Sequence, residues 1–422
     1  MLGPPQYNIL KLNRHLFTYD ADAQLADAYE RALFNGLVGN LNLDAPFNAS
    51  GGDIGFIYFD PTGGAGLQKP WGSSLNDGFP CCWGTSTESF AKLSDSIYFR
   101  SAPTTTTTTT QPPALFINLY VASSVQWGVG GSTTVTISQS GGFPESADET
   151  TVVTVSTPQL VAFSLMVRVP YWALGTIVIA VNGVPQPVDS NGAPPSPSNY
   201  FNVTRSWADG DTVAAWFEPT LRWEPLNDWR SQFAGVGAIM FGGVLLTGVT
   251  QTEALDAATP QDVLSSIVRT SGGGVSPMRF AMPTPCGNVS MLPMMDVRGE
   301  AYAVYWRIGA IPVINYNSSV NGVSAIPTDA SMWVAGGGAS VLPNGPTMNI
   351  RSGDPGELTV ASNVAVLQDG SHSIAALNFS YQYVSGYGPA GRHVGANFTL
   401  VTTDACGASG TTLYSSPELT QY

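Results

Sequence analysis

Leu25, Tyr29, Leu33 and Leu37 recur at every fourth position, with alanines and polar residues between them. That spacing puts all four on one helix face, so residues 7–39 read as two helices, the second carrying this stripe. Asp20 or Asp22 can cap its start and Gly39 its end. Residues 40–80 are rich in turn formers, with one short strand candidate, GFIYF, at 55–59. A third helix is predicted from about Thr87 to Phe99, because Thr85-Ser86-Thr87-Glu88 has the T-x-x-E spacing of a capping box.

From residue 112 the period changes to two. ALFINLYVA, STTVTIS, TTVVTVS, LVAFSLMVRV, IVIAVNG and DTVAAWF alternate apolar and polar positions or run apolar, with turn signals between them. This is the layout of a β-sandwich. The stretch FAGVGAIMFGGVLLTGVTQT, 233–252, is uncharged and nearly long enough to cross a bilayer. Five glycines interrupt it, and it reads as two buried strands joined at Gly242-Gly243.

The expected fold class is therefore mixed α and β, in several domains. Residues 1–103 form a helical part, and seven threonines from Thr104 to Thr110 mark a linker at 104–113. A β-sandwich at 114–225 and a second β-rich region at 226–308 follow. A linker at 309–330 leads to a C-terminal β-sandwich at 331–422, whose strand-like runs include ALNFSYQYVSG and NFTLVTT. Three helices in the first hundred residues have too few partners to bury their faces.

Charge narrows the partners. The net charge is −14, with 16 Lys and Arg and no cluster of them. Nucleic acid and anionic membrane surfaces both demand such a cluster, so neither is an expected partner, whereas a neutral substrate is compatible. Four cysteines are too few for a disulfide scaffold. Six N-x-S/T sequons, at Asn48, Asn202, Asn288, Asn317, Asn378 and Asn397, favour an extracellular location. The opening MLGPPQYNILKL lacks the basic and apolar regions of a signal peptide, which leaves an intracellular protein or a missing true N-terminus.

Two of the four cysteines are adjacent, Cys81 and Cys82 in FPCCWGTSTESFAKL, just ahead of a predicted helix. Free N–H groups and the helix dipole at that end stabilise a thiolate, the nucleophilic and metal-binding form. Two other readings stand beside this one: a pair of inert buried thiols, or a vicinal disulfide. Glu88 either lines a pocket or serves the capping box.

The stretches YNILKLNRHLFTYDADAQLADAYERALFNGLVG, FIYFDP and FPCCWGTSTESFAKLSDSIYF resemble the β-L-arabinofuranosidase type of glycoside hydrolase. The resemblance continues through FSLMVRVPYWA, VNGVP, YFNVTRSWADGDTV and AYAVYWRI, covering roughly residues 7–308. It implies a remnant of an (α/α)6 barrel followed by β-sandwich domains, acting on arabinose-containing glycans. It also implies a retaining mechanism in which Cys81 attacks the anomeric carbon and forms a thioglycosyl intermediate, while Cys82 joins Cys81 in holding zinc. By the same resemblance Glu30 and Tyr58 face the sugar. For Glu30 the other reading is a solvated helix carboxylate, and for Tyr58 a core aromatic.

The chain departs from the family at its start, where the family helix begins with a motif like E-S-C-T-T-Y-N. Aligning its last two residues on Tyr7-Asn8 puts Leu2 and Pro4 where a glutamate and a cysteine bind zinc, and the acid/base glutamate has no counterpart. The expectation is an N-terminally truncated enzyme, with tight zinc binding by the chain alone in doubt and activity lowered or lost. Cys286 and Cys406 read as a disulfide or as buried thiols, and His15, His372 and His393 have no metal-ligand spacing. The alternative function is a non-catalytic carbohydrate-binding extracellular protein, using Trp333, Tyr383 and Tyr387.

Overall fold

Helix α1 (Pro4–Tyr19) opens on two prolines, which suit a first helical turn because its N–H groups have no partners there. Helix α2 (Ala23–Ala32) is capped by Asp22, not Asp20: the Asp22 carboxylate accepts from the Gln24 N–H at 2.9 Å. The helical path continues through a π turn at Leu33–Leu37 and a 3-10 turn at Val38–Asn40. Tyr29, Leu33 and Leu37 of the predicted stripe are buried with Leu10, Phe34, Ile97 and Leu119. This computed structural model describes residues 4–40, 57, 60–62, 66, 68–69, 81–101, 112–129, 133–141, 150–230, 233–250, 254–255, 257–270, 278–284 and 287–308, together with the strands of the C-terminal region.

Helix α3 spans Cys81–Ala91, beginning six residues earlier than predicted and ending eight earlier. Thr85 therefore lies inside the helix rather than at its cap. The Glu88 carboxylate is taken by the Tyr7 hydroxyl and by the Lys92 ammonium. Residues 92–97 turn back on themselves, and strand β1 (Tyr98–Arg100) pairs with strand β2 (Ala114–Ile117) of the following domain. The apolar run Ile97–Phe99 is thus drawn into a sheet, a tertiary choice that outweighs local helix signals.

The first sandwich has β3 (Ser123–Val129), β4 (Thr133–Ser140), β5 (Thr151–Ser156), β6 (Val161–Val169), β7 (Ile177–Val181), β8 (Val184–Pro185), β9 (Asn199–Trp207) and β10 (Thr212–Phe217). One sheet runs β1-β2-β6-β9 and the other β3-β4-β5-β10-β7-β8. Strands β4, β5 and β10 alternate buried and open positions as their sequence dictates. Their inward residues, with Phe163, Leu165, Val167 and Trp207, make one core.

The domain boundary falls earlier than 225. Strand β11 (Leu221–Pro225) pairs with β12 (Val236–Phe241), so it belongs to the next sheet. Strand β12 pairs in turn with β13 (Val244–Val249), as the glycine-broken apolar run predicts, and both are almost wholly buried. The sheet adds β14 (Ala254–Leu255), β15 (Val268–Arg269), β16 (Phe280–Thr284), β17 (Gly287–Pro293), β18 (Tyr302–Ala303) and β19 (Tyr305–Ile308). Helix α4 (Pro260–Ser266) was not predicted, although Thr259 and Asp262 form a reciprocal capping box there. In the C-terminal region the two strand-like runs fall on strands Ala376–Ser385 and Val394–Thr403, which pair antiparallel. Val313–Ile314, inside the predicted linker, pairs in parallel with Val366–Asp369. Among the described residues no helix is long and apolar enough to cross a membrane.

Candidate functional site

Asp27 and Glu30 lie three residues apart on α2, so they share a face, and that face meets the first sandwich. Arg168, the one charged residue of β6, points into the same interface and is fully buried. Its guanidinium donates to Asp27 Oδ1, to Glu30 Oε2 and, at 2.6 Å, to the Asn118 carbonyl. Trp172 Nε1 donates to Glu30 Oε1 at 2.8 Å, and Ser198 Oγ donates to Asp27 Oδ2 at 2.7 Å. Both carboxylates are thus satisfied inside the protein, which is the condition for burying charge at tolerable cost. Burial pushes the Glu30 carboxyl above its ordinary value, against the opposing pull of Arg168 and the Trp172 N–H.

Glu30 is 1 % exposed, so it is not a solvated carboxylate, and its two oxygens are engaged by Arg168 and Trp172. Tyr58 lies outside the described residues, although its neighbours Ile57 and Asp60 are buried. Cys81 and Cys82 form the first two positions of α3, where the helix leaves its N–H groups free, and their side chains lie outside the described residues. Glu88, whose role the sequence left open, joins α3 to α1 through Tyr7. Cys286 and Cys406 also lie outside the described residues, as do Trp333, Tyr387 and the side chain of Tyr383.

The third region closes on the same cluster. Asn35 Nδ2 donates to the Gly243 carbonyl at 2.9 Å, and the Leu245 N–H donates to Asn35 Oδ1 at 2.8 Å. The β12–β13 turn is therefore held by a side chain of the helical segment. A Cβ on Gly243 would stand 2.8 Å from Trp172 Nε1 and 3.1 Å from Glu30 Oε1. Gly243→Ala is expected to lower stability by about 1–3 kcal/mol, read as a shift in urea midpoint, because the cluster around it cannot yield without breaking hydrogen bonds.

A second buried pair lies nearby. Lys69 Nζ donates to the carbonyls of Gly39 (2.5 Å) and Met294 (2.8 Å), tying the helical segment to the third region. Asp60 is fully buried; the Asn40 amide donates to its Oδ2, while Oδ1 has no hydrogen-bond partner among the described residues. Burial raises Asp60 to about 7 and lowers Lys69 to about 8, each restrained by the other's charge. Between the unfolded carboxylate value of about 3.9 and pH 7, only the folded state holds this proton, so Asp60's contribution to stability falls as pH rises through that window. Above pH 8 the unfolded state binds the additional proton on Lys69, so stability recovers. Asp60→Asn is expected to flatten the decline between pH 4 and 7, measured as urea midpoint against pH.

Among the hollows bordering the helices are two that lie beside α1. The one between α1 and α3, bordered by Tyr7, Lys11 and Glu88, has about 30 Å³, room for a water and not for a sugar ring. The other, of about 590 Å³, is a groove between α1, α2 and the sheet of β11 to β13. Its walls include Ile9, Arg31, Glu224, Met240, Leu245 and Tyr305, with Arg31 and Glu224 paired at 2.5 Å. That size is in the range of ligand pockets.

Among the described residues no three His, Cys, Asp or Glu side chains converge as a metal centre. Zinc takes four protein ligands in structural sites and three in catalytic ones. The side chains of Cys81 and Cys82 lie outside the described residues.

The architecture of helices packed on β-sandwiches is that of solved glycoside hydrolases. Residues 5–95 match the GH127 catalytic domain of beta-L-arabinofuranosidase and residues 114–218 the GH127 middle domain, and the chain resembles this family over both stretches. Among solved structures it is similar to a GH127 beta-L-arabinofuranosidase from Geobacillus stearothermophilus T6, at 20% identity and a TM-score of 0.50 over 71% of this chain and 49% of that one. A GH127 beta-arabinofuranosidase matches at 18% identity and a TM-score of 0.51, covering 72% of this chain and 49% of that one. A structure described as a glycoside hydrolase matches at 15% identity and 0.53, covering 72% and 51%. The chain thus spans about half the length of these structures. No curated protein matches it.

Sequence reasoning did not find Asp27, Arg168, Trp172, Asn35, Asp60 or Lys69. A signal was present for the first two. Two acids at i and i+3 on an amphipathic helix, and a lone arginine inside the apolar run FSLMVRV, each mark a buried charge in search of a partner.

Proposed function

We propose that the chain carries part of the sugar-processing centre of a retaining glycoside hydrolase of β-L-arabinofuranosidase type, with an arabinose-containing glycan as substrate. The observation that carries this reading is that the catalytic-domain match spans Cys81 and Cys82, which open a helix. A thiolate there is stabilised by the free N–H groups of the first turn. Cys81 Sγ attacks the anomeric carbon, the bond to the leaving oxygen breaks, and that oxygen takes a proton from an acid. Water then attacks the thioglycosyl carbon, gives its proton to the conjugate base of that acid and releases Cys81 as thiolate. The helical segment is read as the last part of an (α/α)6 barrel, and an extracellular, glycosylated protein accords with the sequons.

The test uses a β-L-arabinofuranoside with an activated aryl leaving group, which departs without help from a general acid. Peptide mass spectrometry is expected to find a pentosyl group on Cys81 in the 422-residue chain, absent from Cys81→Ser and retained in Cys82→Ser. An unmodified Cys81 that still alkylates readily overturns the reading and leaves a carbohydrate-binding role as the alternative.

A further inference from the structure

The sheet β3-β4-β5-β10-β7-β8 turns one face to the sandwich core and the other outward. Its six strands contain no Asp, Glu, Lys, Arg or His, whereas the opposite sheet carries Arg100, Arg168 and Arg205. Solvated sheet faces ordinarily carry charge, which keeps them soluble and blunts unwanted pairing. The register sets the outward side chains in rows across the strands. Ser124, Ser138, Thr154 and Thr212 stand opposite one another on four successive strands. At the usual strand spacing this row of hydroxyls is about 14 Å long. Ser124 is exposed and the other three are half-buried, and no hydrogen bond joins any of the four hydroxyls to another described residue. The next row is Ser140, Val152, Ala214 and Ala180, small side chains that leave a low floor. Beyond it Trp216 pairs with Val178, which is 39 % exposed. The face is a shallow trough with hydroxyls along one side and an indole on the other.

We propose that this trough binds an uncharged polysaccharide chain, at a site separate from the cysteine pair. Three features choose this ligand. A sugar ring has hydroxyls around its edge and C–H groups on its faces. The electron-rich face of Trp216 attracts the C–H groups, and Val152, Ala214 and Ala180 offer them an apolar floor. Serine and threonine hydroxyls both donate and accept, so they match sugar hydroxyls in either orientation. The face has no charge to pair with a polyanion, and the chain's net charge of −14 repels one. A protein is the poorer occupant, because protein interfaces centre on several large anchors, and Trp216 is the one aromatic among the outward positions of these strands. The inference rests on this sheet and not on the reactivity of Cys81, so either can fail alone.

The test titrates the 422-residue chain with arabinan, β-glucan or polygalacturonate and reads binding by calorimetry. Binding is expected with at least one of the first two, which are uncharged, and not with polygalacturonate. Raising the ionic strength is expected to leave it unchanged, because no charge pair is there to be screened. Trp216→Ala is expected to weaken it about tenfold or more, the effect of removing a central anchor. Ala214→Gln fills the trough without adding charge and is expected to weaken it as much. The urea midpoint of Ala214→Gln is expected to stay at the parent value, because position 214 faces outward. Cys81→Ser is expected to bind as the parent does. Absence of binding to both uncharged polysaccharides overturns the proposal. So does binding to polygalacturonate, loss of binding at high salt or in Cys81→Ser, or an affinity that Trp216→Ala or Ala214→Gln leaves within about twofold. A lowered midpoint for Ala214→Gln also overturns it, since position 214 would then be packed rather than open.

Discussion

Arg168→Met is expected to destabilise the joined helical segment and first sandwich by about 3–5 kcal/mol, the usual cost of breaking a buried charge network by removing one partner. Arg168 has no exposed surface, and the carboxylates it serves are 7% and 1% exposed at their side chains. Without it Asp27 keeps Ser198 and Glu30 keeps Trp172, but two negative charges remain in the interface with no counter-charge. Arg168→Lys keeps the charge and loses the planar fork, so it is expected to recover only part of the loss. The triple variant Asp27→Asn, Glu30→Gln, Arg168→Met removes all three charges and is expected to recover more than Arg168→Met alone. Without the arginine, Glu30 sits in a site that favours its protonated form. Its folded value then stands above the unfolded one, and the stability it contributes is lost as pH rises between them. The deficit of Arg168→Met is therefore larger at pH 8 than at pH 5. Urea unfolding at the two pH values, with hydrogen exchange along α2 and β6, measures both effects. An unchanged midpoint would show that the cluster contributes nothing.

Trp207→Ala is the second large effect, expected at about 3–5 kcal/mol from lost burial and the cavity left behind. Trp207 is fully buried in the sandwich core and lies stacked on Phe163, with ring centroids 5.4 Å apart. Its Nε1–H donates to the Phe163 carbonyl at 3.0 Å, so the ring is fixed in orientation as well as packed. Trp207→Phe retains most of the apolar surface and leaves that carbonyl without its indole donor, a loss of about 1–3 kcal/mol. Near-ultraviolet circular dichroism through the urea transition follows both variants. Equal losses for Ala and Phe would show that the hydrogen bond, not the packing, dominates.

Much of the β architecture was legible. The alternation in TTVTISQS and TVVTVS gave β4 and β5 directly, because a half-buried strand must alternate to keep one face dry. The apolar run at 233–252 gave a hairpin rather than a span, because Gly242-Gly243 mark a turn between two segments of strand length. Local rules failed where a distant partner decided. The Thr85-x-x-Glu88 spacing predicted a cap, but Glu88 is claimed by Tyr7, 81 residues away. Tyr98-Phe99, predicted to end a helix, form a strand because β2 offers them a ladder. Leu221–Pro225 fell on the wrong side of a boundary because nothing in its own sequence says which sheet it joins.

The candidate chemistry divides in the same way. Adjacent cysteines ahead of a helical run can be read from the chain alone, because the pattern lies in consecutive residues. So can the poverty of positive charge and the strand periods. The fate of Glu30 could not be read. A carboxylate on a helix is solvated, catalytic or ion-paired according to what packs against it, and here Arg168 lies 138 residues further along the chain. Only the folded arrangement brings α2, β6 and the β12–β13 turn to one point, where their desolvated charges and hydrogen bonds must balance together.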